Sequence, residues 1–391
     1  MENNYDVILV GGGVMGCAIA YNLLKGDSWL RVAILEMDAT YKHNSTVLSD
    51  GNHRVQFNLK ENIEISLYGL EVLDRSAEEM GVDDQQPDIA FRREGNLFLV
   101  DAKAQGEAEA GLALQQRLGC RVEWLTPAEI RTRFPLIEPG ECVGATFGPD
   151  DGTMDPQAVL VGYRNKAVDL GATFLEVEVA SVETGNERVT GVTLATSQRL
   201  NAPVVVNSAG AWAARLASTV GIDLPVQPVK RQVFVLETAA RPETTMPLVL
   251  LPSGQYLIHE HQGHFMCGKS LEDDPVAFEF TWDKRLFEER LWPELVQYAP
   301  TFDRLKVVSG WAGLYAVNTF DGNAILGQWP DLAGFYLANG FSGHGFQQCH
   351  AVGRYLAELI LDRPPTLDLS IFSPDRILAD RPVLESARRL I

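Results

Sequence analysis

The apolar run at residues 5–10, YDVILV, leads straight into GGGVMG at 11–16, and from Val14 the chain continues with helical spacing to Lys25. A strand, a glycine turn and a helix in that order open a βαβ unit whose turn must admit another backbone or a ligand. Gly11 permits the tight turn, Gly13 leaves room for a pyrophosphate, and Gly16 lets the helix pack closely on the strand. The helix N-terminus offers free amides and a partial positive charge to phosphates. A second apolar stretch, 32–35, ends at Glu36, where a carboxylate can accept hydrogen bonds from both ribose hydroxyls of an adenosine. It would repel a 2′-phosphate, so NADP is disfavoured.

A second glycine element, GFSGHGF at 340–346, follows FYLA at 335–338 and precedes QQCHAVGRYLAELIL at 347–361, which has the apolar spacing of a helix. A third strand, 204–206, runs into the turn NSAGAW at 207–212. A nicotinamide enzyme normally completes its nucleotide domain in one stretch. This chain leaves that domain and returns to it twice, which makes the two distant glycine elements two walls of one flavin site. Reduced flavin carries negative charge near its pyrimidine edge, and amides at a helix N-terminus stabilise that charge and raise the flavin's potential.

The fold expected is α/β plus α+β: a discontinuous, Rossmann-like FAD-binding domain from 1–85, 150–222 and 315–391, with an antiparallel-sheet substrate domain from 86–149 and 223–314. Two cores are the natural prior for 391 residues. Within this frame the sequence predicts one long helix over 61–80, a capped helix start at Thr126 with Glu129 in capping-box position, a helix over 155–170 and a strand over 172–182. The net charge of −19 argues against nucleic acid and anionic membrane surfaces. No stretch approaches the roughly 20 apolar residues of a membrane span. The N-terminal residues lack a basic or apolar leader pattern, giving an expectation of cytoplasmic residence. Five scattered cysteines, with no CxxC spacing, indicate neither a disulfide framework nor a zinc site.

The ordered set VGGGVMG, Glu36, STVLSDG (45–51), DGTMDP (151–156), VVNSAGAW (205–212), PVQPVKRQ (225–232), WAGLY (311–315) and GFSGHGF resembles the D-amino-acid oxidase superfamily, in the branch with sarcosine oxidase, glycine oxidase and dimethylglycine dehydrogenase. TYKHNSTVLSDG and NLKENIEISLYG are most similar to a subgroup containing a mitochondrial FAD-dependent oxidoreductase associated with respiratory complex I assembly. The resemblance implies that Gly11, Gly13, Val14, Met15, Gly16, Glu36 and Met37 contact the adenosine diphosphate half of FAD, with Val179 at the adenine. It places Ser45, Thr46, Leu48 and Ser49 along the ribityl chain and ring, Gly210 and Trp212 on the third strand's side, and Gly313 and Leu314 in the same set. Gly343, His344, Gly345, Phe346 and Gln347 would face the pyrimidine edge.

Several positions depart from that pattern. Leu314 stands where sarcosine oxidase attaches its flavin through cysteine, so FAD is expected to be non-covalent. Met266 stands at the lysine that promotes reaction with oxygen, with Lys269 as a substitute only if the strand alignment slips. Phe57 and Gln347 replace the arginine and lysine that bind a substrate carboxylate, while Arg54 matches another active-site arginine. Catalytic candidates are Arg54, Tyr256, His259 and Tyr315. The two-residue period of QYLIHEH sets His259 and His261 on the face opposite Tyr256, and a metal there is disfavoured because Glu260 points away from the histidines. Lys230 and Arg231 read as solvated charges.

The expected function is transfer of a hydride from the carbon beside an amine nitrogen to flavin, by a dehydrogenase rather than a fast oxidase. The substrate is a small amine or amino-acid-like molecule, and quinone, protein and oxygen stay open as electron acceptor. The alternative is a flavoprotein acting mainly as a protein-binding or assembly factor.

Overall fold

The computed structural model describes residues 3–385. Strand β1 (Val7–Val10) is followed by helix α1 (Val14–Gly26) and strand β2 (Val32–Glu36), and β1 lies parallel to β2 with Val7 opposite Val32. All nine strand residues are buried, as the continuous apolar runs require of a parallel sheet covered on both faces. The six-stranded sheet runs Ile325–Gln328, Phe335–Asn339, Val204–Asn207, β1, β2, Thr173–Glu176, with only the first pair antiparallel. One face packs on α1, Pro156–Asp169 and Gly345–Ile360 through Cys17, Ile19, Tyr163 and Val352. The other is covered by the three-stranded antiparallel sheet between residues 179 and 201, through Val182, Val192 and Leu200.

A mixed, mainly antiparallel eight-stranded sheet stands over the ends of the first. Its long pair at one edge, Val226–Thr238 and Leu305–Asn318, is antiparallel over almost its whole length, and His264–Gly268 and then Tyr256–His261 continue the sheet inward. The apolar residues between this sheet and the helical segment at 284–298, among them Phe234, Phe265, Phe287 and Phe302, form a separate core. The strand Leu305–Asn318 runs through the expected domain boundary at 315, because pairing with residues 226–238 continues as far as Asn318. Residues 1, 2 and 386–391 of the expected first domain lie outside the described residues.

Local chemistry sets most element ends. Thr126 accepts the Glu129 N–H while the Glu129 side chain takes the Thr126 N–H at 2.7 Å, a complete capping box with Pro127 in the first turn. Asp155 caps Pro156–Asp169 by accepting from Gln157 and Ala158. Two expectations need correction. The helix predicted over 61–80 is two helices, Lys60–Asp74 and Ser76–Met80, broken where Arg75 leaves helical geometry. The strand predicted over 172–182 is also two, because Val177 donates its N–H to the Glu36 carbonyl at 2.7 Å and the chain then changes sheets. Among the described residues no helix is long and apolar enough to cross a membrane.

Candidate functional site

A cavity of about 680 Å³ lies between the two sheets, within the range of about 300–1,000 Å³ usual for cofactor sites. At its outer end, Gly11 has φ +106°, and a Cβ there would strike the carbonyl of Ser208, so only glycine serves this turn. Gly13 precedes α1 without a side-chain cap, and Gly11, Gly13, Val14 and Met15 line the cavity. Thr46 Oγ1 accepts the Val14 N–H at 3.3 Å, tying the 44–50 loop to the helix start. Glu36, 6% exposed, accepts the Gly12 N–H at 2.9 Å and the Asp38 N–H at 3.1 Å, and burial raises its carboxyl. Met37 and Val179 border the same end.

The middle is shaped by the 44–50 loop against the strand Leu305–Asn318. Ser45 Oγ donates to the Leu314 carbonyl at 2.8 Å, and Trp311 Nε1 donates to the Leu48 carbonyl at 2.9 Å. Ser45, Thr46, Leu48, Ser49, Gly313 and Leu314 all line the cavity, as do Gly210 and Trp212 from the third strand's turn. At the inner end Gly343 has φ +106°, and a Cβ on it would sit 2.5 Å from Tyr315 Cε2. Gly343, Gly345 and Phe346 line this end at the N-terminus of Gly345–Ile360. Tyr315 packs against Gly343, and Tyr256, Arg231 and Asp50 line the cavity with it.

Five residues expected at the site do not line the cavity. Gly16 packs behind the first turn, where a Cβ would meet the Gly11 carbonyl. Gln347 is buried and its Oε1 accepts the Arg54 N–H at 2.8 Å. Arg54, 5% exposed, places its guanidinium 4.7 Å from the Phe57 ring centre and bonds His344 Nε2 at 3.0 Å. Burial lowers it to about 10, so it remains a cation that braces His344 and the turn behind the cavity. His259 is a satisfied core histidine. Its Nδ1 accepts the Met246 N–H at 3.1 Å, its Nε2 meets the Gln262 carbonyl at 3.1 Å, and its ring stacks on Phe265 at 4.7 Å. Nε2 therefore carries the proton, and burial lowers the ring's basicity. The strand period foresaw this division, with Tyr256 on the cavity side.

Met266 pairs across the sheet with Ile258 and packs with Tyr256 and Phe98, on the cavity side but without a place in the lining. Lys269 bonds Glu294 at 2.8 Å and is held away. Lys230 and Arg231 are not solvated: Lys230 is 7% exposed and paired with Glu279, and Arg231 is paired with Asp274. Their partners lie more than forty residues further along the chain, so no local pattern announced them. Asp50, within STVLSDG, likewise carries no local signal of its place in the cavity lining. Among the described residues no His, Cys, Asp and Glu cluster could hold a metal.

The residues present fit FAD. The glycine turn and helix start suit a diphosphate, Glu36 suits an adenosine ribose, and the Gly343–Phe346 turn suits the electron-rich edge of an isoalloxazine. The family model described as FAD dependent oxidoreductase matches residues 6–359. FAD-dependent oxidoreductase domain-containing protein 1 of Xenopus laevis is 36% identical over 418 residues, spanning 97% of this chain and 84% of its own length. Glycine oxidase of Geobacillus kaustophilus is 26% identical, spanning 96% of this chain and 98% of its own. The structure of L-proline dehydrogenase from P. horikoshii superposes with a TM-score of 0.87 at 26% identity, covering 98% of this chain and 100% of that one. A glycine turn before a helix at one end, a second helix N-terminus at the other and a family match spanning both lead to one conclusion: the chain belongs to the FAD-dependent oxidoreductases of the D-amino-acid oxidase family, and its cofactor is FAD.

Proposed function

We propose that this protein is a dehydrogenase that removes a hydride from the carbon beside the nitrogen of an amine or amino-acid-like substrate and delivers the electrons to an acceptor other than oxygen. The observation that carries the reading is the inner end of the cavity, where Tyr315, packed against Gly343, and buried Tyr256 line a partly desolvated space. Desolvation favours a neutral amine over its ammonium form, and only the neutral amine has the lone pair that assists loss of hydride. Bound FAD supplies the hydride acceptor. Gly11, Gly13 and α1 would hold its diphosphate, Glu36 its ribose, and the 45–49 loop and the 343–346 turn its ring.

Several features support the finer choices. Leu314 offers no sulfur for attachment, so FAD is held without a covalent bond. Met266 stands where a lysine would stabilise superoxide beside the ring, and Lys269 is engaged by Glu294, which favours a dehydrogenase. The similarity to L-proline dehydrogenase points the same way and makes secondary amines the first substrates to try.

The test is anaerobic mixing with secondary amines, D- and L-amino acids, proline analogues and hydroxy acids while following flavin absorbance, then reoxidation with oxygen or a quinone. Bleaching by an amine and faster reoxidation by quinone are expected. Bleaching only by hydroxy acids, or fast reoxidation by oxygen, would contradict the reading.

A further inference from the structure

The acidic residues lining the cavity fall in two places. Glu36, Asp38 and Glu178 belong to the outer end, where Glu36 and Asp38 hold backbone amides. Asp50 lies at the inner end with Tyr256, Tyr315 and Arg231. Its carboxylate accepts the Asn52 N–H at a long 3.3 Å, and no lysine or arginine forms an ion pair with it among the described residues. A carboxylate has about four lone-pair sites, so most of its accepting capacity faces the cavity unused.

Burial pushes the Asp50 carboxyl up, and the nearby Arg54 charge offsets that only in part without forming an ion pair. Arg231 is neutralised by Asp274 and also donates to the Leu271 carbonyl at 3.2 Å. Arg54 lies behind the cavity against His344 and the Phe57 ring. Glu260, the next acid in reach, is engaged by Arg92 at 3.6 Å. Tyr256 and Tyr315 are neutral phenols, and burial together with the Asp50 charge keeps their protons on. The substrate end thus carries one carboxylate without an ion-pair partner among the described residues, in a partly desolvated wall, and a positively charged nitrogen is the ligand that pairs with it.

We propose that Asp50 is the cation-recognition group of the substrate end, receiving the positively charged nitrogen of the incoming amine. The proposal rests on the amine reading above. It also reconciles capture with chemistry. Asp50 holds the ammonium form, and proton transfer to it breaks one N–H bond and forms one O–H bond without any change of oxidation state. A neutral amine is left at the inner end. Neither residue periodicity nor the resemblance pointed to this residue; its place against Tyr256 and Tyr315 did.

The test uses the FAD-loaded protein and two probes of matching shape, trimethylammonioacetate and 3,3-dimethylbutanoate, which differ in the charge of the head group. Neither has an amine lone pair, so binding is read from perturbation of the flavin spectrum and from calorimetry, without turnover. Wild-type protein is expected to prefer the ammonium probe by roughly tenfold or more, the scale of one charge-assisted hydrogen bond or ion pair. Asp50→Asn should lose that preference with FAD content unchanged, and Asp50→Glu should keep much of it. Absence of the preference in wild type overturns the proposal without recourse to any variant, as does its persistence in Asp50→Asn. If the preference is present and lost in Asp50→Asn while no amine bleaches the flavin, the oxidation reading fails and the cation site stands.

Discussion

Replacing Glu36 with Gln tests the outer end at one atom pair. The wild-type carboxylate accepts the Gly12 N–H at 2.9 Å through one oxygen and the Asp38 N–H at 3.1 Å through the other, so it both pins the glycine turn and faces the cavity. Glutamine is the same size but has one acceptor oxygen, and its NH₂ must face a backbone N–H or turn toward the ribose as a donor. At least one charge-assisted bond is lost, about 1.5–3 kcal/mol. That corresponds to roughly 10–150-fold weaker FAD binding, since each 1.4 kcal/mol is tenfold. Apoprotein titrated with FAD, followed by quenching of flavin fluorescence with far-ultraviolet circular dichroism as a folding control, gives the number. A Glu36→Gln protein that folds and binds FAD within threefold of wild type would refute the reasoning, because the ribose-binding role would then belong to another residue.

At the inner end, Gly343→Ala imposes about 1–2 kcal/mol of left-handed backbone strain and places a methyl 2.5 Å from Tyr315 Cε2. FAD affinity and the rate of anaerobic flavin reduction should both fall while the fold persists; unchanged values of both would show that the turn does not set the ring's position. Buried His53 and His350 titrate at about 4 and about 3 because burial disfavours their charged forms. Between those values and the ordinary value near 6.5 the unfolded chain binds more protons, so stability is full above about pH 6.5 and falls as the pH drops toward 4. Urea midpoints between pH 7 and 4.5 should show this slope, and His53→Gln should flatten it; an equal slope in the variant would assign acid lability elsewhere.

The parts legible in the sequence are those governed by local rules. β1, the glycine turn and α1 follow from chain order and backbone sterics, the Thr126–Glu129 box from side-chain reach, and the side of the sheet taken by Tyr256 and His259 from the two-residue period. The expected domain edge at 315 cuts a strand held by pairing with residues 226–238, a contact between segments far apart in the chain. What stayed hidden depends on contacts between distant segments. Arg231 finds Asp274, Lys230 finds Glu279, and Arg54 is drawn behind the cavity by Phe57 and His344. Asp50 reaches the inner end because Trp311 and Leu314 anchor the loop that carries it.

A crystal structure of the FAD-bound protein tests the central claim most directly. The diphosphate is expected at Gly11, Gly13 and the first turn of α1, with the isoalloxazine between the 45–49 loop and the 343–346 turn and its reactive face toward Tyr256 and Tyr315. A diphosphate seated elsewhere, or a ring turned away from the two tyrosines, would contradict it.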